Sequence, residues 1–88
     1  MRAREIYGRY LGRFLDLASG AAANAGWESH LKDILRDFES EAAALEPRSA
    51  RLLRNELGEQ LEFLAQSATS KHARAALLAA LKRIELGG

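Results

Sequence analysis

One histidine and three carboxylates form a row in the second quarter of the chain, at His30, Asp33, Asp37 and Glu41. Spacings of three and four residues place such neighbours on one side of an α-helix. Imidazole nitrogens and carboxylate oxygens are ligands for divalent metal ions. A metal site in a helical bundle also takes inward-pointing ligands from a facing helix, whereas this row lies opposite the apolar stripe of its own helix. It is therefore predicted to be a solvated charged face, with no metal and no cofactor.

The residue types that catalysis most often requires are scarce. The chain has no cysteine, which excludes a thiol nucleophile, a disulfide framework and a cysteine zinc cluster. The two histidines, His30 and His72, lack the local serine or aspartate arrangement of acid–base or nucleophilic catalysis. The seven glycines form neither a phosphate-binding loop nor a dinucleotide-binding pattern. The chain is therefore predicted not to be an enzyme.

Two predicted helix surfaces carry side chains of the kinds that form protein–protein interfaces. One is the acidic side of the second helix, and the other is an aromatic and basic side of the first helix, since tyrosine and arginine are enriched at interface hot spots. The expected function is a non-enzymatic protein-binding module, an adaptor, regulator or small inhibitor that occupies a partner protein's surface. The candidate contact residues are Glu28, Asp33, Asp37 and Glu41 on the second helix and Arg9, Tyr10 and Arg13 on the first.

Residues 64–81 favour a second function. They read as a helix ending in Leu-Ala, a short polar turn, and a helix that begins Ser-Lys-His-Ala-Arg. This segment resembles a helix-turn-helix, in which the second helix presents its first residues to DNA bases. The resemblance implies a DNA-binding regulator that uses Lys71, His72 and Arg74. A net charge of only +1 makes this the alternative, because DNA affinity depends mainly on neutralising phosphates.

These candidate residues must be positioned by helices. The 88 residues include 17 Ala and 15 Leu but no Val, one Thr and three Ile. So few β-branched residues argue against a sheet. The length and composition predict one all-α domain over residues 1–88, a small antiparallel bundle of three long helices and a shorter C-terminal helix.

Apolar spacing and local stop signals give the boundaries of the elements. Gly20 is predicted to end the first helix, Asn24 to cap the second, Pro47 to begin the third, and Thr69 or Ser70 to cap the fourth. The first three helices are predicted over residues 2–19, 27–45, and 47–66 or 68, and the fourth runs from its cap at Thr69 or Ser70 to an end at Gly87-Gly88. Residues 20–26 are either a loop or a short helical turn.

The apolar stripes predict the core. Leu52 and Phe63 are expected at the edges of the stripe of the third helix, and Leu78 within that of the fourth. The predicted core residues are Tyr7, Leu11, Phe14, Trp27, Leu31, Ile34, Phe38, Leu53, Leu57, Leu61, Leu64, Leu77, Leu81 and Ile84.

Gly8 and Gly12 lie four residues apart in the first helix, where each glycine costs about 1 kcal/mol relative to alanine. They predict a close approach by another backbone, within the chain or across a homodimer. Gly58 is expected to serve the same purpose in the third helix.

The chain is expected to be cytoplasmic and to have no membrane contact. We find no apolar run of the roughly 20 residues that span a bilayer, and no apolar segment of a secretory signal follows the basic N-terminus. The ten arginines and three lysines suggest GC-rich coding and a bacterial or phage source.

Overall fold

A computed structural model describes residues 2–23 and 26–86, which form four α-helices and no strand. This confirms the predicted all-α fold. The fourth helix is the shortest, although its 16 residues are only one fewer than those of the second. The helices are α1 (Arg2–Ala23), α2 (Trp27–Ala43), α3 (Pro47–Ser67) and α4 (Lys71–Leu86).

Two of the predicted boundary signals act as expected. Glu46 has extended backbone angles, φ −60° and ψ 146°, and Pro47 opens α3, because a residue before proline avoids the helical region. Ser70 caps α4, since its hydroxyl accepts a hydrogen bond from the Ala73 amide at 3.3 Å. The predicted Asn24 cap and the predicted helix end at Gly87-Gly88 fall outside the described residues.

The predicted helix end at Gly20 is wrong, because α1 continues to Ala23. No described glycine has a positive φ, the conformation that makes glycine a helix stop. Ala21 lies one turn beyond Leu17 on the same face, and both side chains are buried in the core. Burial of this extra turn outweighs the local cost of the glycine.

All four helices contribute to one hydrophobic core. Of the 14 predicted core residues, nine are buried, and Tyr7, Leu11, Trp27, Leu64 and Leu81 are half-buried against them. The buried apolar residues outside the predicted core list are Ile6, Tyr10, Leu17, Ala21, Leu35, Ala42, Ala65, Ala73, Ala76 and Ala80. Half of these are alanines of α2, α3 and α4, whose small side chains give weak sequence signals.

Two predictions about the core require correction. Tyr7 is predicted in the core and Tyr10 in a partner contact, whereas Tyr10 is buried and Tyr7 only half-buried. Leu52, Phe63 and Leu78 were expected at or within the apolar stripes, but all three are exposed. Phe63 is exposed because it follows the buried Leu61 by two residues, and two residues correspond to a rotation of about 200° around the helix.

Where two consecutive helices touch, the contacting residues are separated from the loop between them by similar numbers of residues. Tyr10 packs on Phe38 between α1 and α2, and Arg54 bonds to Ile84 between α3 and α4. This register is compatible with an antiparallel arrangement. The bundle measures 36 × 22 × 21 Å, and its long dimension agrees with the roughly 33 Å length of a 22-residue helix.

Candidate functional site

Two of the acidic residues predicted for partner contact on α2 lie against the basic residues predicted for partner contact on α1. The Arg9 guanidinium lies 2.6 Å from the Glu41 carboxylate, and Arg13 lies 3.0 Å from Asp37. Each pair is one helical turn from the next on both helices, so the pairs form a two-step ladder. We call Arg9, Arg13, Asp37 and Glu41 the α1–α2 ladder. Partner binding by these residues stays a prediction, and within the chain they join two helices.

Tyr10 connects this ladder to the core. Its ring is 1% exposed and packs edge-on against Phe38, with ring centroids 5.4 Å apart. Its hydroxyl donates a hydrogen bond to Glu41, and the Arg13 guanidinium carbon lies 5.3 Å from its ring centroid. Burial, followed by the bond to Glu41, raises the pKa of Tyr10. The hydrogen bond and charge of Glu41 likewise raise the pKa of Arg9.

The remaining acidic candidates lie on the outer side of α2. Glu28 and Asp33 are exposed, and Asp33 lies 3.7 Å from Arg36 one turn later. His30, the other member of the predicted row, is also exposed. In the part of the chain that the structure describes, no group of three or more His, Asp or Glu side chains is placed to hold a metal ion.

The residues predicted to read DNA lie together at the start of α4. Lys71, His72 and Arg74 are all exposed. Arg74 also donates a hydrogen bond to the carbonyl of Ala68, at 2.8 Å. Its guanidinium thus binds the end of α3, where carbonyls lack helical partners and the helix dipole is negative.

The relation of α3 to α4 differs from that of a helix-turn-helix. There the two helices leave the turn at about 90–120°. Here Arg54 lies 13 residues before the end of α3 and Ile84 lies 13 residues after the start of α4, yet a guanidinium nitrogen of Arg54 is 3.1 Å from the Ile84 carbonyl. The two helices therefore run side by side over more than three turns.

Arg54 is a residue whose role the sequence analysis missed. Its guanidinium binds both carboxylate oxygens of Glu39 on α2 and also bonds to the Ile84 carbonyl on α4. The guanidinium carbon lies 5.4 Å from the ring centroid of Phe38, and only 12% of the side chain is exposed. Arg54 thus joins three helices. The available signal was its position on α3, within the arc occupied by Leu57 and Leu61.

Gly8 and Gly12 do not support the predicted close approach within the chain. A Cβ atom at either position would meet no atom within 4 Å, apart from the helix's own backbone nearby. Gly58 does serve close packing, because it is buried and a Cβ there would lie 3.5 Å from Leu81. The close approach expected at Gly8 and Gly12 is therefore wrong within the chain, and an approach across a homodimer stays a prediction. At Gly58 the neighbour is the Leu81 side chain rather than a backbone.

The outward side of α3 carries two large apolar side chains. Leu52 is 55% exposed and Phe63 is 62% exposed. Eleven residues separate them, which is about three turns and about 16 Å along the same helix face. Glu56 and Glu59 are exposed between them. We call Leu52 and Phe63 the α3 apolar pair.

Within residues 2–23 and 26–86, no helix has the length and apolar content needed to cross a membrane. In comparisons with known proteins, no family model, curated protein or solved structure matches the chain. The function is therefore inferred from the chain's own surfaces.

Proposed function

We propose that this chain is a non-enzymatic protein-binding module and that its contact surface is centred on the α3 apolar pair. The observation that carries the proposal is the exposure of Leu52 and Phe63, at 55% and 62%, on a bundle whose core is already filled by all four helices. An aromatic side chain left in water is the type of residue that dominates protein interfaces when a partner covers it.

The spacing of the pair suits an elongated contact. About 16 Å separates the two side chains along α3, which is the length of three turns of a partner helix. Glu56 and Glu59 between them are exposed carboxylates. The surface therefore has apolar anchors with polar residues beside them, as the interfaces of protein complexes do.

The charged candidates from the sequence are weaker contact surfaces. Arg9, Arg13, Asp37 and Glu41 bind one another in the α1–α2 ladder, so a partner would have to replace bonds that the chain already makes. Glu28 and Asp33 are exposed on the outer side of α2, and they remain a secondary candidate surface for partner contact.

A displayed library of random 12-residue peptides tests the proposal. We expect peptides enriched on the wild-type chain to lose binding to the double variant Leu52→Ser/Phe63→Ser. The matched control is Leu78→Ser on α4, which removes an exposed leucine elsewhere and is expected to leave binding unchanged. Peptides that bind the α3 double variant as well as the wild type would contradict the proposal. Circular dichroism of each variant checks that the fold is kept.

The alternative is a DNA-binding regulator that uses Lys71, His72 and Arg74. Its support is the exposure of all three side chains at the start of α4. Fluorescence anisotropy of a labelled mixed-sequence duplex, at low and at physiological salt, separates the two functions. DNA binding requires an affinity that falls with salt and also falls in Lys71→Ala/Arg74→Ala. A protein-binding module gives a flat titration.

A further inference from the structure

A groove of about 840 Å³ lies between the C-terminal half of α2 and the adjoining side of α3, and the end of α4 closes it on one side. Its floor is formed by small or buried apolar residues, among them Ala42, Gly58 and Ile84. A groove remains here because alanine and glycine do not fill the space between the helices. Arg54 crosses from Glu39 to the Ile84 carbonyl and holds the three helices around it.

The charged groups around the groove are mainly negative. Glu59, Glu62 and Glu85 line it and are exposed. Among the ion pairs found in residues 2–23 and 26–86, none involves these three carboxylates. Arg54 is paired with Glu39, which leaves Arg51 as the other cation among the described residues of the lining.

Three helix ends border the same groove, and two of them are C-terminal ends. Ala42 and Ala43 at the end of α2, and Ile84 and Glu85 at the end of α4, line the same groove. A helix C-terminus carries a partial negative charge from its last carbonyl groups. Pro47 at the start of α3 lines the groove as well, and the partial positive charge of that N-terminus offsets one of the two C-terminal ends. The three carboxylates therefore carry most of the negative potential that acts on any group that enters.

We propose that this groove binds a lysine- or arginine-bearing segment of the partner protein, with small apolar residues on the floor and ammonium or guanidinium groups at Glu59, Glu62 and Glu85. The inference rests on the proposed protein-binding function and names the chemistry of its partner. Glu59 also lies on α3 between Leu52 and Phe63, so the groove and the α3 apolar pair form one continuous surface. Opposite charge at a partly enclosed site selects the partner and speeds its association.

The probe is a fluorescein-labelled 16-residue peptide of alanine, leucine and lysine, with lysine on one helical face. Its counterpart has glutamate in place of every lysine. We expect the lysine peptide to bind the wild-type chain and the glutamate peptide not to bind. We also expect binding to weaken at least fivefold in Glu59→Gln/Glu62→Gln. The steric variant Ala43→Trp, at an exposed position of the groove wall, is expected to weaken binding by a similar factor.

The matched control is Glu5→Gln/Asp16→Asn, which removes the same two charges from exposed positions of α1. We expect this control to bind the lysine peptide within twofold of the wild type. Equal binding by the groove variant and the control would overturn the inference, because it would show that the position of the removed carboxylates does not matter. No binding of the lysine peptide would also overturn it.

The peptide library separates the two proposals. Enriched peptides that are basic, and that lose binding both to Leu52→Ser/Phe63→Ser and to Glu59→Gln/Glu62→Gln, support both. A second outcome is that enriched peptides require Leu52 and Phe63 yet bind Glu59→Gln/Glu62→Gln and Ala43→Trp as well as the wild type. That result would support the protein-binding function and overturn the groove inference. If no peptide is enriched on the wild-type chain, both proposals fail.

Discussion

Replacing Arg54 by methionine should destabilise the bundle far more than removing an exposed arginine from the same helix. The substitution keeps most of the apolar length of the side chain but removes the guanidinium. That group bonds to Glu39 on α2 and to the Ile84 carbonyl on α4, and it lies against the ring of Phe38. Three helices thus lose a common contact.

The magnitude follows from these contacts. A hydrogen bond to a charged group contributes about 1.5–3 kcal/mol, and a partly desolvated cation–π contact about 0.5–2 kcal/mol. The contributions are not additive, and Glu39 is 42% exposed, so its carboxylate regains water when Arg54 is lost. We therefore expect Arg54→Met to lower the free energy of unfolding by about 2–3 kcal/mol. For a chain of this size the midpoint of thermal unfolding would fall by roughly 8–24 °C.

Urea unfolding followed by circular dichroism at 222 nm measures this loss. Arg51→Met is the matched control, since Arg51 is exposed on the same helix, and we expect it to change stability by less than about 0.5 kcal/mol. A double-mutant cycle with Glu39→Gln should give a coupling of about 1–2 kcal/mol. If Arg54→Met costs no more than Arg51→Met, or if the coupling is zero, the role given to Arg54 is refuted.

Three further predictions follow from the helices and their ends. Tyr10→Phe removes the bond to Glu41 and should cost about 1–2 kcal/mol in urea unfolding at pH 7. Because folding raises the pKa of Tyr10, the folded state holds this proton more tightly. The resulting stabilisation is complete below the unfolded pKa of about 10 and is lost as the pH rises through the folded value, so the wild type should lose stability above pH 10 more steeply than Tyr10→Phe; parallel curves would contradict this. Gly8→Ala should stabilise the chain by about 0.5–1 kcal/mol, because a Cβ there meets no atom within 4 Å beyond the helix's own nearby backbone; a lower thermal midpoint would show that a backbone contact had been missed. Ser70→Ala should cost about 1 kcal/mol through loss of the α4 cap, whereas Thr69→Ala should be nearly neutral, and equal losses would disprove the cap.

The helices were largely predictable because their signals are local. A proline keeps the backbone of the preceding residue out of the helical conformation, as at Glu46. A serine hydroxyl accepts a hydrogen bond from the amide three residues later, as at Ser70. The failure at Gly20 has a different cause. Whether a helix continues past a glycine depends on what the next turn buries, and the burial of Ala21 is a property of the assembled bundle.

The candidate surfaces were predictable one helix at a time. Spacing predicts that Asp37 and Glu41 lie on one side of α2. It predicts the same for Arg9 and Arg13 on α1, and the ion pairs between the two helices agree with both predictions. Spacing does not give the rotation of one helix relative to the next, so the ladder between them was not foreseen. The groove depends on the separation of α2 and α3, for which the sequence carries no local signal.

The ladder and the contact at Glu39 share a further property, since the cation in each is an arginine, at Arg9, Arg13 and Arg54. Acylating reagents and acetylating enzymes modify the amines of lysines, whereas a guanidinium stays protonated at all ordinary pH values. The three lysines, Lys32, Lys71 and Lys82, are exposed. Acylation of all three would change the formal net charge from +1 to −2 while these arginine contacts remained in place. We therefore expect that the chain can be attached to a solid support through its lysines while its helices stay together. The same holds when acylation of the lysines reverses the sign of its net charge.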